Sequence, residues 1–348
     1  MSRASRARRV ATAAAFGTGS LGAISAAVYG VLYGESKLAR RRIQPAEADP
    51  PRADGVWTAP GVPAGAAPLV LAMLGDSSAA GYGVHTDVET PAAQIALGLS
   101  AMARCPVRLR NVAVVGAQSS ALAHQVEQVL PERPDLAVIM IGANDVTHRI
   151  RAAESVRHLN AALALLVEQD LPLVLGTCPD LGTIRPIAQP LRWLARRLSR
   201  TLAAAQAVAV VAAGGRAVSL GDILGPEFES SRDYFSDDQF HPSALGYARA
   251  AEVLLPSAAA ALGLSTVSEA AAPFTSRRAR PLANAAARAA GLPGTEVLPA
   301  QVHGQSAGRR GPWARLLRRR TPAVIPPTSG GAGNFTPESM VAGDRPSR

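Results

Sequence analysis

The chain of 348 residues contains only two cysteines. Cys105 and Cys178 form no C-x-x-C pair and have no histidine at metal-ligand spacing, which argues against a zinc site. Two small buried residues describe them better than a disulfide. No lipobox-like cysteine follows the N-terminal apolar run, so a lipid-modified N-terminus is not indicated. Neither G-x-x-x-x-G-K-[ST] nor G-x-G-x-x-G follows the first strand-like run, and this counts against a nucleotide-binding α/β protein. No cofactor and no metal are expected. Basic charge is also missing where the overall balance of +10 suggests it. Residues 1–42 carry eight basic and one acidic group, and residues 272–348 carry twelve and three. Residues 43–271 carry sixteen basic and twenty-two acidic groups. The centre is acidic, and a nucleic-acid surface there has no support.

What is present begins with an uncharged stretch from Val10 to Tyr33, flanked by Arg3, Arg6, Arg8 and Arg9 on one side and Lys37, Arg40, Arg41 and Arg42 on the other. As a helix it is long enough to cross a hydrocarbon layer. It is therefore read as membrane-interacting through residues 10–33. Two fates compete, a retained signal anchor and a cleaved secretory signal; the length of the run and the lack of a clean A-x-A site favour the anchor. Basic residues on both flanks leave the orientation open, and an extracytoplasmic catalytic part at the cell envelope is the default.

Four segments follow from composition: 1–42 as the anchor or signal, 43–67 as a Pro/Ala-rich linker, 68–265 as the folded domain and 266–348 as a disordered basic tail. Within the tail, Arg309–Arg320 holds Trp313, Leu316 and Leu317 among arginines, which suits either an anionic membrane or a solvated tail. In the folded domain, strand-like runs at 69–74, 109–115, 136–141, 172–177 and 216–220 alternate with helix-like runs at 91–103, 119–130, 152–169, 189–213 and 243–262. Such alternation predicts a three-layer α/β/α sandwich around a roughly five-stranded parallel sheet.

Sites in such folds form beyond the carboxyl ends of the strands. The first strand delivers Gly75-Asp76-Ser77, the second leads to Gly116, and the third delivers Gly142-Ala143-Asn144-Asp145. Asp238-Gln239-Phe240-His241 lies just before the last helix, with Pro242 expected in its first turn. A serine hydroxyl needs a base to remove its proton, and the base needs a partner to fix its tautomer. Ser77, His241 and an aspartate beside it supply those types in a workable chain order. Taken alone, Ser77 is equally readable as a helix N-cap.

This ordered set resembles the SGNH (GDSL-type) hydrolase superfamily, over about residues 69–262. The resemblance implies Ser77 as nucleophile, His241 as general base and Asp238 as its orienting carboxylate. Asp238 is preferred over Asp237 because the family spacing is three residues. It also implies an oxyanion hole built from the Ser77 and Gly116 backbone N–H groups and the Asn144 side-chain amide. A glycine at 116 fits a backbone donor that must approach the substrate closely. The block lacks an asparagine beside Gly116; Gln118 and Ser119 follow instead. Asp76 and Asp145 read as loop-stabilising residues, and His148 as a residue near the pocket rim.

The segment 180–195 either lines a substrate cleft or packs as plain helix. On the first reading Ile184, Ile187 and Trp193 contact the substrate. The resemblance implies a serine ester hydrolase acting on short- to medium-chain acyl esters through an acyl-enzyme. Its substrate is a small-molecule, lipid or carbohydrate ester; nothing resembles a large lid, which counts against long-chain triglyceride. Alternatives are a carbohydrate O-deacetylase or lysophospholipase at the envelope, or a non-catalytic binding module on the same fold. The oligomeric state is open.

Overall fold

A computed structural model describes residues 29–39, 41, 43, 48–63 and 65–264 of the chain. Most of the 10–33 stretch and all of the 266–348 segment, including Arg309–Arg320, lie outside the described residues. Among the described residues no helix is long and apolar enough to cross a membrane.

Six strands form one sheet in the order β1-β3-β2-β4-β5-β6. These are β1 (Gly55–Trp57), β2 (Leu69–Gly75), β3 (Val107–Asn111), β4 (Leu136–Met140), β5 (Leu173–Gly176) and β6 (Arg216–Val218). The last five run parallel, and β1 pairs antiparallel with β3 at the edge. β1 corrects the linker reading of 43–67. Its three residues escape notice amid prolines, and the Trp57 indole donates to the Ala53 carbonyl at 2.8 Å to hold the turn that leads into it.

β2, β4 and β5 are apolar without alternation because both faces are covered. Leu71, Met73, Val138 and Val174 face one core, packed by α3 (Pro91–Ala103) and α9 (Ala244–Ala261). Ala72, Leu74, Ile139 and Leu175 face the other, packed by α4 (Leu122–Val129), α6 (Ala152–Val167) and α7 (Leu191–Ala212). The outcome is the three-layer α/β/α sandwich expected. α3 starts where Thr90 accepts a hydrogen bond from Ala93 N–H with Pro91 at its first position, a strong start signal. α9 begins at Ala244 with Ser243 as its cap, so Pro242 stands outside the helix rather than in its first turn.

A smaller apolar cluster joins Ala39 of α1 (residues 29–39) to Leu181, Ile184, Ile187 and Leu202. Glu35 of α1 accepts a hydrogen bond from Leu191 N–H at the start of α7. α8 (Leu220–Ser230) was not foreseen.

Candidate active site

Among the parallel strands the chain reverses its direction of winding between β2 and β4, its first and third. The carboxyl ends at such a switch point leave a crevice, and both ends carry predicted site residues. β2 ends at Gly75, whose φ is +138° and where a Cβ would overlap the Met140 carbonyl oxygen. Only glycine lets β2 lie this close to β4 and turn. Asp76 then caps α2 (Ser77–Ala80), its carboxylate accepting from Ser78 N–H at 2.9 Å. Ser77 is thus the first residue of this short helix rather than its cap.

His241 reaches the same spot from the far end of the fold. Its Nε2 stands 3.0 Å from the Ser77 hydroxyl oxygen, across 164 positions of sequence. Its Nδ1 stands 2.6 Å from Asp238 Oδ2. Asp238 is buried, whereas Asp237 is exposed, so the carboxylate that meets the His241 imidazole is Asp238. The other oxygen, Oδ1, accepts from the Ser236 hydroxyl at 2.7 Å, Phe240 N–H at 2.8 Å and His241 N–H at 2.9 Å. Burial pushes the Asp238 carboxyl up, but the bonds from the His241 imidazole, Phe240 N–H, Ser236 and His241 N–H outweigh it and hold it at about 2. The imidazole ring is wedged edge-on against Tyr82 and Phe240, with centroids 4.7 and 4.9 Å away.

Asn144 lies on α5 (Ala143–Thr147), directly after β4. Its amide donates to the Ala117 carbonyl at 3.0 Å, which ties its block to the one holding Gly116. β3 ends at Asn111, earlier than the run to 115 predicted, yet the chain stays beside β2 through Val112 N–H to Met73 and Val114 N–H to Gly75. Gly116 is exposed, with φ +82° and no protein atom near a would-be Cβ. Its backbone angle, not crowding by the protein, explains the glycine. Asp145 accepts from Ser119 N–H and its hydroxyl, the structural role expected. His148 is exposed and bonds the Asn144 carbonyl at 2.8 Å.

A cleft opens beside Ser77, Asn144 and His241. Ile184 lines it, as predicted. Ile187 and Trp193 do not. Ile187 is buried in the cluster with Leu181 and Leu202. Trp193 points to solvent at 56 % exposure, with the Arg197 guanidinium 5.7 Å over its ring one helical turn on. An apolar residue in a sequence marks a cleft no better than a packing or surface position.

Several residues that hold this site were not foreseen. Gln125 of α4 bonds both Gly75 N–H (2.7 Å) and the Gly75 carbonyl (2.9 Å). Gln206 of α7 accepts from Cys178 N–H at 2.7 Å and donates to the Ile141 carbonyl at 3.0 Å. Each glutamine satisfies strand-end groups that the sheet has ceased to pair. A polar residue inside an apolar helical face, as Gln206 is within Ala203–Val211, was the available signal.

A sequence profile described as the GDSL-like Lipase/Acylhydrolase family matches residues 73–249. The chain is 42% identical over 250 residues to the GDSL-like esterase Rv1075c of Mycobacterium tuberculosis (strain ATCC 25618 / H37Rv), across 69% of this chain and 78% of that protein. Among solved structures, the lipase/acylhydrolase from Enterococcus faecalis is similar at 21% identity and a TM-score of 0.42, covering 55% of this chain and 94% of that one. The SGNH-hydrolase family esterase AlinE4 is similar at 23% identity and a TM-score of 0.41, covering 57% and 99%. By the profile match and the identity to that esterase, this chain belongs to the GDSL-like lipase/acylhydrolase family and is a carboxylic ester hydrolase.

Proposed function

We propose that the chain cleaves short- to medium-chain acyl esters by nucleophilic catalysis at Ser77. The observation that carries this reading is the continuous line from Ser77 Oγ through His241 to Asp238, at 3.0 and 2.6 Å. His241 Nε2 takes the hydroxyl proton as Oγ bonds to the acyl carbon, and Asp238, held ionised, stabilises the imidazolium. The tetrahedral intermediate collapses as His241 hands that proton to the leaving alcohol oxygen. Water then repeats the sequence on the acyl-enzyme, releasing the acid and restoring Ser77. The negative oxygen rests on the Ser77 and Gly116 N–H groups and on the Asn144 amide hydrogen left over from the Ala117 bond. Each such donor is worth about 2.7–4 kcal/mol in the transition state.

Ser77→Ala tests this directly. Turnover of p-nitrophenyl esters is expected to vanish, along with fluorophosphonate labelling, while the far-ultraviolet circular dichroism stays that of the parent. Retained turnover in a clean preparation overturns the mechanism, and an unlabelled parent enzyme favours the binding-module alternative. We infer further that residues 10–33 hold the chain at a membrane, supported by their lack of charge. Carbonate-resistant recovery with membranes is the expected result, and full release into the wash counts against it.

A further inference from the structure

The cleft beside Ser77 extends past the triad to Met140 and Ala250, both members of the core. It runs between two apolar walls. One is the loop after β5, with Leu181 and Ile184; the other is α8, with Leu224 and Phe228. The walls are fixed to one another. Arg196 donates to the Gly182 carbonyl at 3.1 Å on one side and to Glu229 at 3.0 Å on the other. Arg185 donates to the Glu229 carbonyl at 2.8 Å. Phe228 is locked between Tyr234, stacked at 5.3 Å, and Phe235, edge-on at 5.1 Å. Asp180, at the root of the loop wall, is buried and held by Arg200 at 2.9 Å. Cross-links of this kind keep a pocket at one width instead of letting it adapt.

We infer that this cleft is the acyl pocket, taking a straight medium-length hydrocarbon chain whose length Leu224 and Phe228 limit. The assignment rests on the serine-ester reading. An acyl group stays bonded to Ser77 through the whole cycle, while the alcohol must leave and water must enter beside His241. A largely apolar cleft suits the group that stays. It opposes the group that must exchange with water. Of the polar side chains on the loop wall, Asp180 is taken up by Arg200 and Thr183 by the Asp180 carbonyl, which leaves Leu181, Ile184, Leu224 and Phe228 to face the chain.

The test uses two ester series on the full chain: p-nitrophenyl esters from acetyl to dodecanoyl, and acetate esters of lengthening alcohols. For the parent, kcat/KM is expected to climb with acyl length to a break. Leu224→Phe moves that break to shorter acyl chains and Leu224→Ala to longer ones. For chains just past the break the change is about tenfold in kcat/KM, the effect of a methylene gained or lost in an apolar pocket. The alcohol series shows no matching displacement. Breaks that coincide in all three proteins, that move in the same direction in both variants, or that move in the alcohol series instead overturn the assignment. Phe228→Trp, which fills the same wall, replaces Leu224→Phe if the latter does not fold. Fluorophosphonate labelling separates the two levels: a labelled enzyme whose break does not move loses only the pocket, whereas an unlabelled parent loses the serine-ester reading.

Discussion

Asp238 accepts four hydrogen bonds, three of them on the oxygen not used by the His241 imidazole. That asymmetry points Oδ2 at the imidazole. Ser236 supplies the one side-chain bond of the three, at 2.7 Å. Hydrogen bonds to a charged group contribute about 1.5–3 kcal/mol. Ser236→Ala is expected to lower the unfolding free energy by about that amount and to reduce kcat more than it raises KM, because the loss is of orientation and not of substrate contact. Urea unfolding and p-nitrophenyl ester kinetics check both; an unchanged kcat would show that the two backbone donors suffice. The meeting of Ser77, His241 and Asp238 was legible because their residue types and order are those the proposed chemistry demands. Ser236 was not, since a serine two positions before an aspartate has many uses in loops. Trp193 misled for a related reason: its ring gains from Arg197 at the surface as readily as from a cleft.

At the scale of elements, helices α4 and α7 each offer a buried glutamine to a strand end. Gln206 joins Ile141, past β4, to Cys178, past β5, and so holds the loop that carries Asn144. Replacing it by methionine keeps most of the volume but leaves a buried N–H and a buried carbonyl unpaired, at about 1–3 kcal/mol each. Gln206→Met is therefore expected to lower stability by about 2–5 kcal/mol and to lower kcat through Asn144. Urea unfolding measures the first, ester turnover the second, and a stability loss within about 0.5 kcal/mol, the size of an ordinary surface change, would contradict the account. The parallel strands and the long helices were readable from unbroken apolar runs and helical periodicity. α8 was hidden by Gly221, Gly225 and Pro226 within its eleven residues, since glycine and proline ordinarily punctuate chains. Here its apolar residues are held by the aromatic contacts of Phe228 and by packing against α9. β1 was concealed in the same way by its proline-rich surroundings.

At the scale of the molecule, two aspartates of the site give opposite pH dependences to folding. Burial pushes the Asp76 carboxyl up from 3.8 to about 6, only partly offset by Ser78 N–H, the His241 charge and Gly142 N–H. Between those values the folded chain keeps a proton that the unfolded chain releases, so stability from this group falls as pH rises from about 4 to about 6. Asp238 behaves inversely. Held at about 2, it contributes stability above about 4, and that contribution is lost as pH falls toward 2. Ionised Asp76 favours the imidazolium that the proposed mechanism forms on His241. The fold thus tolerates a buried charge at its site, as working proteins do where chemistry requires it. Asp76→Asn retains an oxygen to cap Ser78 but cannot ionise. It is expected to flatten the decline between pH 4 and 6 and to raise stability at pH 8 relative to pH 4 by on the order of 3 kcal/mol. Urea midpoints across pH 4 to 8 for parent and variant decide the matter: parallel curves would mean that Asp76 is already ionised in the fold at pH 4.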